Sequence, residues 1–250
     1  MNSIYQTIQK NSEEGRKMIA VLLDPDQCRG SLLASTVAAL KSNVPDFIFV
    51  GGSHTLSSTD SLIELLKEET KAHVILFPGN ASQFSTKADA LLYLSLLSGR
   101  NAEFLIGQHI TSSIAIKKSE IEVIPTGYLL IDGGKPSSVE YISNSRPIPR
   151  DKNEIALSTS VAAELLGMNL IYLEAGSGAL FPVPAEMIET VKIGLSIPLI
   201  VGGGIKTVEQ LKIAFEAGAD LVVVGNVFES NPAKISEFVE FTRNFQEEII

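Results

Sequence analysis

Two glycine turns lie one strand–helix unit apart near the end of the chain: Val201-Gly202-Gly203-Gly204-Ile205-Lys206-Thr207 and Val224-Gly225-Asn226. Each follows a short apolar run, so each leaves backbone N–H groups uncovered at the end of a strand. Thr207 is placed to cap a helix opening at Val208. Bare N–H groups at the positive end of a helix suit a phosphate dianion. Further back, Leu23-Asp24-Pro25-Asp26 and Val50-Gly51-Gly52-Ser53-His54 each put a polar residue directly after an apolar segment. A carboxylate at Asp24 and a hydroxyl at Ser53 form an oxygen-rich pair of the kind Mg²⁺ takes when a substrate phosphate completes its shell. The plainer alternative is that Asp24 caps its own turn and Ser53 satisfies backbone donors. In Tyr172-Leu173-Glu174-Ala175-Gly176-Ser177-Gly178, strand alternation puts Tyr172 and Glu174 on one inward face. Glu174 is then a candidate general base, and the small residues after it can wrap a hydroxylated ligand.

These residues need a frame that brings strand ends together. Apolar, β-branched segments recur at 18–23, 47–50, 74–77, 90–94, 127–131, 170–174, 199–201 and 221–224. Amphipathic helical patterns separate most of them, at 31–41, 61–70, 101–117, 155–166, 185–195, 208–217 and 233–245. Alternating strands and helices predict a parallel sheet, and eight repeats in 250 residues predict a closed (βα)8 TIM barrel of one domain. The span between Phe77 and Ala90, with Pro78-Gly79-Asn80, is barely long enough for a crossover. The third helix is therefore expected to be short or irregular. Residues 132–150 read as a long Gly/Pro/Ser loop on the catalytic face, where such loops are usually functional.

Composition narrows the classes further. With 29 acidic and 20 basic residues the net charge is −9, which argues against a nucleic-acid footprint or strong attraction to anionic lipid. An anionic ligand would have to be held by a locally positive site. Apolar runs are too short for a membrane span, and Met1–Gln6 lacks the basic and apolar regions of a signal peptide. Together with a lone cysteine, Cys28, this places the expected location in the cytoplasm. Three scattered histidines make no case for zinc. His54 is expected to flank the site and His109 to pack within its helix. Lys135 and Lys206 are expected to be solvated loop residues.

Seven motifs fall in order: Leu-Asp-Pro-Asp at 23–26, Val-Gly-Gly-Ser at 50–53, Phe-Pro-Gly-Asn at 77–80, Gly-Tyr-Leu-Leu-Ile-Asp at 127–132, Tyr-Leu-Glu-Ala-Gly-Ser-Gly-Ala at 172–179, Val-Gly-Gly-Gly-Ile at 201–205 and Val-Gly-Asn at 224–226. Each glycine turn is generic alone; the ordered set is specific. In this the chain resembles the geranylgeranylglyceryl phosphate synthases and the related heptaprenylglyceryl phosphate synthases, from about Lys17 to about Phe228. The resemblance implies a prenyltransferase that joins the C3 hydroxyl of sn-glycerol 1-phosphate to a polyprenyl diphosphate, geranylgeranyl being the first choice of tail. It implies Mg²⁺ at Asp24 and Ser53; Asp24 is then expected to be catalytic through the metal's charge on the leaving diphosphate, and Glu174 is expected to be catalytic by taking or orienting the hydroxyl proton. It also implies glycerol-phosphate contacts from Tyr172, Leu173, Glu174, Ala175, Gly176, Ser177, Gly178, Gly203, Gly204, Gly225 and Asn226, and a homo-oligomer. A long tail needs an apolar groove, expected between the irregular third connection and the 101–117 helix. Such a substrate leaves room for peripheral membrane contact. The competing class is a phosphosugar isomerase or lyase, or another phosphate-binding barrel, using the same glycine turns. Such enzymes call for an acid/base pair or a strand-borne lysine, and no strand interior here carries a lysine.

Overall fold

The structure is a computed structural model and describes residues 3–245. Eight parallel strands close into a barrel: β1 (Met18–Leu23), β2 (Phe47–Val50), β3 (His73–Leu76), β4 (Ala90–Leu96), β5 (Glu122–Leu130), β6 (Leu170–Glu174), β7 (Leu199–Gly202) and β8 (Leu221–Val224), with β8 pairing back to β1. Helices α1 (Ile4–Glu13), α2 (Gly30–Ser42), α3 (Asp60–Glu69), α4 (Gln108–Ser119), α5 (Ser138–Ser143), α6 (Asn153–Leu165), α7 (Ala185–Ile193), α8 (Val208–Glu216), α9 (Asn226–Ser230) and α10 (Lys234–Phe245) complete it. Alternation along each strand divides the core in two. Ile19, Val21 and Leu23 of β1 pack outward against the helices, whereas Met18 and Ala20 join Phe47, Phe49, Ile75, Leu92 and Tyr172 inside the barrel.

Four elements depart from the sequence reading. Helix α1 was not anticipated. Ser3 and Gln6 form a reciprocal capping box, each side chain accepting the other's backbone N–H at 3.1 Å. Ile4 and Ile8, one helical turn apart, then insert into the inner core, and the Glu122 carboxylate accepts the N–H groups of Ile4 and Tyr5 at 2.7 and 2.8 Å. Since Met18 and Glu122 begin their strands, α1 stops the barrel at its amino-terminal end.

Strand β5 starts five positions before the expected 127–131 segment and contains Pro125. The proline fits because β6 joins only from Thr126: on that side Pro125 supplies only its carbonyl, which accepts the Asn169 N–H at 2.8 Å. The 101–117 helix opens instead as a π-helical turn at Glu103–Gly107 before α4 begins. Within the 132–150 loop lie α5 and a parallel bridge between Ile131 and Ile148. The third connection is irregular, as expected: its only helix is a 3-10 turn at Ala81–Gln83, capped by the Asn80 side chain. Thr207 caps α8 through Gln210 N–H. Among the described residues no helix is long and apolar enough to cross a membrane.

Candidate active site

The strand ends carry a cavity of about 420 Å³ lined by residues from every βα connection but the fourth. Its polar side is built on the last four loops, which are tied to one another. Asn226, at the start of α9, accepts the Gly178 N–H at 2.7 Å and the Ser177 hydroxyl at 3.1 Å, reaching across the β7 loop to the β6 loop. Lys206 Nζ donates to the Ala179 carbonyl at 2.9 Å, so this lysine is a strut and not the free loop residue expected. From the β5 loop, the Gly133 carbonyl accepts N–H groups of Leu180 and Phe181. Arg150 donates to the carbonyls of Asp132 and Pro182 with its guanidinium over the Phe181 ring. Against this braced rim, the N–H groups of Gly203, Gly204, Gly225 and Asn226 have no acceptor among the described residues. Four unclaimed donors beside the amino-terminal end of α8 form an anion cradle.

Glu174 ends β6 inside this cavity and is 6% exposed. Its Oε1 accepts the Gly176 N–H at 2.7 Å. Burial pushes its pKa up to about 7, against the opposing pull of the Tyr172 hydroxyl and the Gly176 N–H. The Tyr172 hydroxyl is buried beside that carboxylate with no hydrogen bond of good geometry among the described residues. Burial, and then the charge of Glu174, raise the tyrosine's own pKa well above normal. Glycine is required opposite this pair. A Cβ on Gly203 (φ +79°) would lie 2.3 Å from Glu174 Oε1, and one on Gly202 would lie 2.4 Å from the Tyr172 hydroxyl.

Across the cavity, Asp24 Oδ1 accepts the Asp26 N–H at 2.8 Å. Its Oδ2 lies against Gly52, where a Cβ would come within 2.9 Å. Burial raises the Asp24 pKa. Glu229 of α9 is raised too, by burial foremost and in part by the charge of Asp24, while its carboxylate accepts from Asn226 Nδ2 at 3.2 Å. Two carboxylates that resist ionising near each other favour a cation between them and an anionic ligand. No three of His, Cys, Asp or Glu converge among the described residues. Asp24, Ser53 and Glu229 line the same cavity and offer oxygen ligands alone, a set that could hold Mg²⁺ once a ligand adds oxygens of its own.

A second, apolar groove opens off the first cavity between the irregular third connection and α4. Pro78, Phe84, Leu91, Leu94, Leu96, Phe104 and Ile116 line it, and it shares Gly52, Ser53, Phe77, Tyr128 and Val139 with the polar cavity. Its outer wall is held by Gln83, which bonds to Gly52 and Gly79, and by Gln108, which accepts the Ala81 N–H. His109 lines the groove with Nε2 3.3 Å from Ser95 Oγ and its ring edge-on to Tyr93 at 4.4 Å; burial lowers its pKa, as for a packed imidazole.

Of the residues singled out from the sequence, Asp24, Ser53, Tyr172, Glu174, Ser177, Gly178, Gly203, Gly204, Gly225 and Asn226 line the polar cavity, with His54 at its edge. Leu173 and Ala175 do not: their side chains join the outward core, Leu173 is paired in the barrel ladder on both sides, and the Ala175 N–H is taken by the Gly202 carbonyl. The Gly176 N–H is taken by Glu174. Sequence reasoning missed Glu229, Gln27, Ser138 and Tyr128. Helical spacing from Asn226 could have found Glu229, and strand alternation could have found Tyr128.

The model of the PcrB family matches residues 11–242. The geranylgeranylglyceryl phosphate synthase of Chitinophaga pinensis is 46% identical over 96% of this chain and 95% of its own length. That of Thermococcus kodakarensis is 44% identical over 86% of each chain. Among solved structures, the (S)-3-O-geranylgeranylglyceryl phosphate synthase of Thermoplasma acidophilum, crystallised with its substrate sn-glycerol-1-phosphate, superposes with a TM-score of 0.90 at 34% identity. That match covers 98% of this chain and all of the other. With a braced anion cradle, an apolar groove beside it and a match running along nearly its whole length, this chain belongs to the PcrB family, the family of the geranylgeranylglyceryl phosphate synthases it resembles.

Proposed function

We propose that this protein transfers a polyprenyl group, geranylgeranyl as the first choice, from its diphosphate to the C3 hydroxyl of sn-glycerol 1-phosphate. The observation that carries this reading is the meeting of two unlike spaces at Gly52, Ser53, Phe77, Tyr128 and Val139: an anion cradle on one side and an apolar groove on the other. A phosphorylated polar acceptor fits the first and an isoprenoid tail the second, so their reacting atoms meet at the junction. Each CH₂ buried in the groove contributes roughly 0.8 kcal/mol, enough to seat a long tail. A phosphosugar lyase reading has no support here, because Lys206 is tied to a carbonyl on the rim.

The chemistry needs three things from the chain. The N–H groups of Gly203, Gly204, Gly225 and Asn226 hold the glycerol phosphate and so aim its C3 hydroxyl, which lowers the barrier by positioning. Glu174 accepts the hydroxyl proton, and a pKa near 7 matches that task. The hydroxyl oxygen then bonds to the allylic C1 while the C1–O bond breaks and its electron pair leaves with diphosphate. Asp24 and Ser53 are the positions for Mg²⁺, which when bound would neutralise the diphosphate's growing charge. A homo-oligomer in the cytoplasm completes the reading, supported by exposed Leu165, Leu166 and Ile193 on neighbouring α6 and α7.

Radiolabelled sn-glycerol 1-phosphate and its sn-3 enantiomer, offered with geranylgeranyl and longer diphosphates, test it. The expected outcome is Mg²⁺-dependent label in the organic phase from the sn-1 form only. Folded protein that transfers nothing, or that uses both enantiomers equally, would overturn it.

A further inference from the structure

The junction between cradle and groove has an aromatic floor that the transfer scheme above leaves without a task. The Phe77 ring is stacked on Tyr172 at 5.3 Å with an interplanar angle of 23°. Tyr128 meets Phe77 at 6.0 Å and Tyr172 at 5.4 Å. Below them Phe49, fully buried in the barrel, meets Phe77 at 6.2 Å. Centroids this close leave no room for an atom between the rings, so the cluster is a platform and not a cage. Tyr172 is fully buried and Tyr128 nearly so, whereas Phe77 is only half-buried and lines both spaces. Phe77 is therefore the ring offered to whatever sits at the junction. Packing alone does not call for it: an aliphatic residue would continue the groove wall made by Leu91, Leu94 and Leu96 equally well.

We propose that Phe77 is a catalytic residue whose ring face stabilises positive charge on the allylic carbons as the C1–O bond to diphosphate breaks. This rests on the transferase reading, which puts C1 at the junction of groove and cavity. As the bond lengthens, its electron pair leaves with diphosphate and charge spreads over C1 and C3 of the allyl unit. The face of a benzene ring is negative, and a desolvated cation over it is stabilised substantially. Water would do the same work but would capture the cation as prenyl alcohol. A ring stabilises the charge and cannot react. Tyr172, stacked behind, fixes the plane of Phe77, so the stabilisation requires no rearrangement during the reaction.

The test keeps shape and changes only the ring's electrostatics. Full-length protein carrying 4-fluoro-, 3,5-difluoro- or 3,4,5-trifluorophenylalanine at position 77 is assayed for single-turnover ether formation with both substrates and Mg²⁺ saturating. The single-turnover rate is expected to fall stepwise with each fluorine, about tenfold across the series, with the KM for glycerol phosphate unchanged within about twofold. Phe77→Leu should fall below the trifluoro variant while releasing more prenyl alcohol. A flat rate across the fluorinated series in active enzyme overturns the role of Phe77 and leaves the transferase reading standing. Wild-type protein that forms no ether overturns the transferase reading itself, before any variant is made.

Discussion

Replacing Glu174 by glutamine keeps the side chain's shape and removes its ionisation, which separates what the fold needs at this position from what catalysis needs. Burial raises the carboxyl from 4.5 to about 7. At about 1.4 kcal/mol per pKa unit, that is about 3 kcal/mol between the protonated and ionised forms. The sign is fixed by which state holds the proton. Between these two pKa values the folded protein keeps a proton that the unfolded chain has lost. The stabilisation is therefore complete below pH 4.5 and is lost as pH rises through about 7. Glutamine carries no charge to penalise, and its amide oxygen can still accept the Gly176 N–H while its amino group turns to Tyr172. Thermal or urea melts of both proteins from pH 4.5 to 8 measure the difference, since the Tyr172 and Tyr128 hydroxyls that feel the Glu174 charge stay protonated throughout that range. At pH 8 the variant is expected to melt about 6–12 °C above wild type, taking roughly 2–4 °C per kcal/mol for a domain of this size. That gap should close toward pH 4.5. Turnover should fall by about 10²–10⁴ with little change in KM for glycerol phosphate, and wild-type kcat should rise with pH through about 7. A gap in melting temperature that does not vary with pH would refute the argument, because it would come from packing and not from ionisation.

Asn226→Ala removes the acceptor of the Gly178 N–H and Ser177 hydroxyl bonds. It should raise the KM for glycerol phosphate about tenfold with kcat changed far less, as read by initial rates. Gly203→Ala drives a Cβ to 2.3 Å from Glu174 Oε1 in a left-handed backbone. Turnover should be lost, with a stability cost of about 1–3 kcal/mol in urea unfolding. Chelation of divalent metal should abolish transfer and added Mg²⁺ should restore it. In Asp24→Asn the half-saturating Mg²⁺ should rise by at least roughly tenfold, and an unchanged Mg²⁺ titration would remove Asp24 from the metal site.

The barrel was legible because most strands repeat one signal: a short apolar run, a polar or glycine turn soon after it, then a helical period. The site's polar half was legible for the same reason, since Asp24, Ser53, Glu174, Gly203 and Asn226 all sit where such a run ends. What stayed hidden depended on partners distant in sequence. Nothing near Ile4 announces that its side chain will join Met18 in the inner core and its N–H will donate to Glu122. Pro125 obscured the first half of β5, and only the pairing shows that β6 is absent there. Leu173 and Ala175 belong to the same motif as Glu174, yet alternation turns them outward. Lys206 looked free because its acceptor, the Ala179 carbonyl, is 27 residues away. The groove's general position could be anticipated, but its contact with the polar cavity through Phe77 and Tyr128 could not.

The bracing of the rim is lopsided, and that has an evolutionary meaning. The loops after β5, β6, β7 and β8 are laced together through Gly133, Arg150, Lys206 and Asn226. The connections after β2 and β3, by contrast, are joined to each other through Gln83 and to the β1 loop through Asp26, which accepts the N–H groups of Leu56 and Ser57. A substitution on the laced side disturbs several contacts at once and is exposed to selection through headgroup recognition. On the transferase reading, a substitution along Phe84, Leu94 or Phe104 alters the room available to the tail. Lineages built on this scaffold are thus free to lengthen or shorten the lipid they make while the choice of polar acceptor stays fixed.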